Sequence, residues 1–160
     1  MSTIASFFKV PKNLVEDLRE AIPRTQQPPG TPHDAYNELL HQHGQQMEKY
    51  PWSGYFLVTL LVYLQENKQI DLMHSEFDKL SEFLTNSQGT TCFILTEAHK
   101  RNYLAKLTGE FSERSLCDYY NQFNDSDDPE AGKLMLDGVR VLRDNLNQLD
   151  DSSVIVCSIG

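Results

Sequence analysis

Gly54-Tyr55-Phe56-Leu57-Val58-Thr59-Leu60-Leu61-Val62-Tyr63-Leu64 is the most apolar stretch of this chain; it carries no charge, and Thr59 is its only clearly polar side chain. A membrane span needs about 20 apolar residues, so this run is too short to cross a bilayer and reads as a buried element. Periodicity does not separate a buried helix from a buried strand in an unbroken apolar run. The flanks do. Ser53 follows Pro51 as an N-cap, and Gln65-Glu66-Asn67 continues in helix-tolerant form, so the run is expected to be a helix despite its β-branched Val58, Thr59 and Val62.

Upstream, Thr31-Pro32 reads as N-cap and first residue of a helix with Ala35, Tyr36, Leu39, Leu40, His43 and Met47 on its apolar side. Tyr50-Pro51 is expected to stop that helix, which then packs antiparallel on the central one. Residues 23–32 hold four prolines and a glycine and are expected to form a loop. Residues 3–10 are β-branched and aromatic and predict a strand. Pro11 then opens a short helix marked by Leu14, Leu18 and Ile22.

Downstream, Asp71 or Ser75 is expected to open a helix bearing Met73, Phe77, Leu80 and Leu84. Residues 90–95 predict a second strand, and Thr96 caps a helix over 97–107. Ser112 caps another, which carries Leu116, Tyr119, Tyr120 and Phe123. Asp128-Pro129-Glu130 starts the last helix, with Met135, Gly138, Leu142, Leu146 and Leu149 on one stripe. Gly138 inside that stripe points to close packing. Residues 153–159 predict a third strand. The sum is one α+β domain over 1–160, a small three-stranded sheet covered by about seven helices. The first and last strands lack hairpin neighbours, so their backbone groups are expected to meet in one sheet.

The chain has 160 residues and a net charge of −9, with acid concentrated at Asp125, Asp127, Asp128 and Glu130. Such a surface repels phosphate backbones and disfavours nucleic acid, whereas it attracts a basic protein partner. Cys92, Cys117 and Cys157 are scattered and odd in number, which implies a reducing compartment, with no disulfide framework. Residues 1–11 lack the features of a secretory signal, so the expected location is cytoplasmic, without membrane attachment.

The candidate chemistry is thin. His41 and His43 point to different sides of a helix and cannot share a metal. His74-Ser75-Glu76 copies one half of a zinc deaminase signature, but no cysteine pair completes it. Asp125-Ser126-Asp127 begins like a calcium loop, yet Glu130 stands where glycine is needed and Leu136 where the bidentate glutamate belongs. Cys157 is fourth from the end, the spacing of a prenylation box, behind an acidic segment unsuited to an anchor. Asp118 beside Cys117 would raise the thiol pKa, the wrong direction for a nucleophile. No metal or cofactor is expected. The leading expectation is a non-catalytic protein-binding domain, in its sharpest form an immunity-type inhibitor, that meets a basic partner through Asp125, Asp127, Asp128 and Glu130. The alternative is a small enzyme or small-ligand binder with a pocket near His41, Trp52 and Tyr55.

The opening Met1-Ser2-Thr3-Ile4-Ala5-Ser6-Phe7-Phe8-Lys9-Val10-Pro11 and its leucine-bearing helix resemble the start of the bacterial YfbM-like family of unknown function. Trp52 ahead of a leucine-rich helix is similar too, as is the closing helix followed by Val154-Ile155-Val156. The resemblance implies a compact bacterial α+β domain in the cytoplasm. It supplies no active-site residue.

Overall fold

The computed structural model describes residues 3–25 and 35–160. At its centre is β4 (Ser153–Ile159), flanked by β1 (Ala5–Pro11) and β3 (Thr91–Leu95), with β2 (Gln45–Gln46) outside β1. All three pairings are antiparallel. The first and last strands therefore do share a sheet, as their missing hairpin neighbours predict. That sheet has four strands, one more than expected.

Strand alternation divides the core in two. Phe7, Phe93, Leu95, Ile155 and Cys157 face one cluster, and Val10, Ile94, Val154 and Val156 face the other. In register, Cys157 lies opposite both Phe7 and Phe93, and Val156 opposite both Phe8 and Ile94. The first cluster is covered by α3 (Gly54–Lys68), α5 (Glu97–Leu107), α6 (Glu113–Asn124) and α7 (Ala131–Asn147). The second is covered by α1 (Val15–Thr25), α2 (Ala35–His43) and α4 (Asp78–Gln88). The result is a sheet between two helical layers.

The apolar run is helical, as its flanks predict. In α3, Leu57, Leu60, Leu61 and Leu64 are all buried in the first cluster, and Ser53 Oγ accepts from Tyr55 N at 3.4 Å as the N-cap. Burial on several sides explains why the segment is apolar all round.

Several boundaries differ from expectation, each for a local reason. The helix expected to run from Thr31-Pro32 to Tyr50-Pro51 stops at His43. Gly44 N returns to Leu40 O at 2.8 Å, after which Gln45 and Gln46 pair with Lys9 and Phe8. The outer edge of β1 needs partners, and this two-residue strand supplies them. Consequently α2 does not lie antiparallel to α3; it packs on α1 in the opposite layer.

The helix expected from Asp71 or Ser75 starts at Asp78. Asp71 Oδ1 instead accepts the amides of Met73 and His74, each at 3.2 Å, and Asp78 Oδ1 accepts Ser75 N at 2.7 Å. These carboxylates build turns rather than an earlier helix end. Near the N-terminus, Lys12–Leu14 form a 3-10 turn before α1, which runs on through residues 23–25 where a loop was expected. The rest of that proline-rich segment and the Thr31-Pro32 helix start lie outside the described residues.

Two glycines set how closely α7 approaches its neighbours. A Cβ on Gly138 would sit 2.8 Å from Leu60 Cδ2 and 3.4 Å from Leu57 Cδ1, the close packing that its place in the stripe implied. A Cβ on Gly132 would overlap the backbone carbonyl oxygen of Glu113 and stand 3.0 Å from Cys117 Cβ. A main-chain oxygen cannot rotate aside, so Gly132→Ala must push α6 and α7 apart. That overpacking is expected to cost about 1–3 kcal/mol, outweighing any gain in helix propensity. A urea midpoint equal to that of the parent chain would show that the two helices tolerate the added methyl.

Candidate functional site

Residues 47–53 cross from β2 to the start of α3 and are held throughout. Met47 N donates to Phe7 O at 2.8 Å, Asn145 Nδ2 to Glu48 O at 3.0 Å, and Tyr50 Oη to Leu134 O at 2.7 Å. At the end of the strap, Trp52 Nε1 donates to Asp137 Oδ2 at 2.9 Å. Arg140 fixes Asp137 from the other side at 2.9 Å and also pairs with Glu48 and Asp144. The indole is thereby oriented while 45% exposed. Burial, then Asp137 and Tyr120, push the Tyr50 hydroxyl well above its usual range; this phenol is a structural donor.

Five large apolar side chains are exposed among the described residues: Ile4, Trp52, Tyr55, Phe83 and Phe123. Ile4, Trp52 and Tyr55 flank the start of α3, where Gly54 N donates to Thr3 O at 3.0 Å. Phe123 belongs to the neighbouring α6. Its stacking partner is Tyr119 at 5.9 Å, and Tyr119 meets Tyr63 edge-on at 5.0 Å. Tyr120 stacks on Phe56 at 4.7 Å. Asn124 Nδ2 donates to Thr59 Oγ1 at 3.3 Å, and Thr59 is one turn along α3 from Tyr55, on the same side. The α3–α6 contact thus sets the turn of α3 that follows Tyr55 against the end of α6 that carries Phe123. Tyr119 Oη donates to Glu66 Oε2 at 2.9 Å; desolvation first, then Glu66, pushes that hydroxyl up to about 12, so it too remains a neutral donor.

The acidic turn comes directly after Phe123. Asp125 ends α6 in the left-handed conformation, φ 49°. Asn121 organises residues 126–128: its Oδ1 accepts from Asp128 N at 2.7 Å and from Ser126 Oγ at 2.9 Å, and its Nδ2 donates to Asp128 O at 2.9 Å. Asp128 Oδ1 accepts Glu130 N at 2.9 Å, so this carboxylate shapes the turn, and the helix begins at Ala131, later than the sequence suggests. Asp125, Asp127 and Glu130 are exposed and form no ion pair among the described residues. Residues 115–132 contain five acids and no lysine or arginine.

Of the two expected sets, Tyr55 lies one helical turn from Thr59, which meets the end of α6 just before the acidic turn, and Trp52 is held by Asp137 of α7. His41 does not join them; it lies on α2 in the other layer, edge-on to Phe8 at 5.4 Å. One cluster went unread in the sequence. Buried His99 joins Thr96 to His74 beside a cavity of about 210 Å³. The Thr96-x-x-His99 spacing was the available signal, with His in the place that Glu or Gln takes in a capping box.

Cys92, Cys117 and Cys157 are free thiols. Among the described residues, no group of three or more His, Cys, Asp or Glu is placed to hold a metal ion, and no helix is long and apolar enough to cross a membrane. Comparison with family models, curated proteins and solved structures returned no match to this chain.

Proposed function

We propose that this chain is a non-catalytic binding domain that captures a basic protein on the face formed by Trp52, Tyr55, Phe123 and the acidic turn. One observation carries the reading: exposed Phe123 leads directly into a turn whose carboxylates Asp125, Asp127 and Glu130 form no ion pair among the described residues, while Trp52 and Tyr55 are exposed at the start of the neighbouring α3. Aromatic side chains at the centre of an interface supply contact area, and a rim of single sign steers and selects an oppositely charged partner. Trp52 is already held by Asp137, which lowers the ordering cost of docking. An inhibitor of the immunity type, blocking a basic toxin in a bacterial cytoplasm, is the sharpest form of the proposal. Nucleic acid is disfavoured by the net charge of −9. Kinship with the YfbM-like family enters only as an expectation about the fold and assigns no residue a role.

The test is position-specific photo-crosslinking in the native cell. A crosslinker replacing Tyr55 or Phe123 is expected to trap one and the same basic protein. A crosslinker at Glu82, exposed on α4 in the opposite layer, is expected to trap none of it. Changing Asp125 and Asp127 to Asn and Glu130 to Gln removes the adduct. Equal adducts at Glu82, or adducts that survive loss of the three charges, contradict the proposal.

A further inference from the structure

We propose that Glu66, Tyr119 and Phe123 form a subsite for one arginine side chain of the partner, whose guanidinium rests on the aromatic pair and bonds to Glu66. The inference rests on the binding reading above and names the side chain that the site selects.

Tyr119 and Phe123 are four residues apart on α6 and so share one side of that helix. Their rings stack with centroids 5.9 Å apart and planes 20° apart, and Phe123 is exposed. Tyr63 of α3 meets the Tyr119 ring edge-on at 5.0 Å and fixes it from beneath the surface. The Tyr119 hydroxyl donates to Glu66 Oε2 at 2.9 Å. It stays a donor, because desolvation and then Glu66 itself keep the phenol protonated. Glu66 is an exposed residue of α3, yet this bond holds its carboxylate beside the ring pair. Its Oε1 accepts no hydrogen bond and neither oxygen forms an ion pair among the described residues.

The chain supplies no cation of its own from either neighbouring segment. Residues 50–67 contain Glu66 and no lysine or arginine, and residues 115–132 contain five acids and neither base. Lys68, the first cation after Glu66, stands over the Phe111 ring at 5.4 Å. Asp125 follows Phe123 by two residues, so their Cα atoms are at most about 7 Å apart. An exposed ring, an oriented carboxylate and a surround of one sign complement a cation that is also flat. A guanidinium is planar and weakly hydrated; it lies against an aromatic ring while the N–H groups at its edge remain free to donate to a carboxylate. A lysine ammonium is a compact, strongly hydrated point charge and gains less from the ring. The subsite therefore favours arginine over lysine at equal charge.

Two small probes read this preference without the partner. The isotope-labelled full chain would be titrated by NMR with N-acetyl-arginine amide and, at the same salt, with N-acetyl-lysine amide. The arginine probe is expected to shift the signals of Glu66, Tyr119 and Phe123, and to half-saturate them at a concentration roughly two- to fivefold lower than the lysine probe. Glu66→Gln and Phe123→Leu change exposed side chains, and each is expected to bring the two probes to equal binding. No shift at the three residues, equal binding of the two probes by the parent chain, or an arginine preference that survives both variants would overturn the subsite. The basic-partner reading is judged separately by crosslinking: a basic protein trapped at Phe123, together with equal binding of the two probes, would overturn the subsite and keep that reading.

Discussion

A chain ending at Ser153 is expected to have no cooperative unfolding transition and to accumulate in the insoluble fraction. Residues 154–160 carry nearly all of β4, the strand that pairs with both β1 and β3. Without them those two strands lose their only shared neighbour, and each is left with a row of unpaired backbone groups. The apolar loss is as large. Val154, Ile155, Val156 and Ile159 are each at most 4% exposed, and burial of four such side chains is worth roughly 6–12 kcal/mol. The entire stability of a domain is about 5–15 kcal/mol. Both core clusters lose residues together, because alternate β4 side chains face alternate layers. A truncated chain that melts like the parent would mean that β4 is not the centre of the sheet.

Leu60→Ala is expected to destabilise the fold by about 2–5 kcal/mol, toward the upper part of that range. Leu60 is fully buried in α3, and Gly138 of α7 stands against its tip. Cavities cost most where the surroundings cannot collapse, and a glycine has no side chain to move into the space. Filling the space by mutation sharpens the test. Gly138→Ala alone forces a methyl to within 2.8 Å of Leu60 Cδ2 and is expected to be neutral to destabilising. In the Leu60→Ala background the same methyl enters the void and recovers helix propensity, so it is expected to stabilise. The coupling between the two positions should be about 0.5–3 kcal/mol and favourable, read from guanidinium midpoints at constant slope. Strict additivity would show that α3 and α7 do not meet there.

The elements legible in the sequence are those that carry their own signal. The strands at residues 5–11, 91–95 and 153–159 have dense β-branched and aromatic side chains, and α3 has capping flanks that outweigh Val58, Thr59 and Val62. Gln45 and Gln46 have no such signal; they are a strand only because the edge of β1 is beside them. The stop at His43 has the same origin. Asp71 and Ser75 have side chains that serve turns as well as helix caps, and only the neighbouring amides decide between them. The candidate site was half legible. The acidic turn and the aromatics Trp52 and Tyr55 stand out separately, whereas the contact of α6 with α3 through Asn124 and Thr59 joins segments far apart in the chain, and no local pattern encodes it. His41 has the composition of a pocket residue and the position of an ordinary surface one. His99 was missed because a capping histidine is rarer than a capping glutamate.

The most direct measurement of the binding proposal is the salt dependence of affinity for the protein trapped at Tyr55 and Phe123. Titration calorimetry would compare the parent chain with the variant Asp125→Asn, Asp127→Asn, Glu130→Gln over a range of salt. The parent is expected to bind more weakly as salt rises, since exposed charges are screened, and the variant is expected to bind more weakly at low salt with a much flatter dependence. Equal affinities and equal slopes for the two chains would contradict a partner held by the acidic rim.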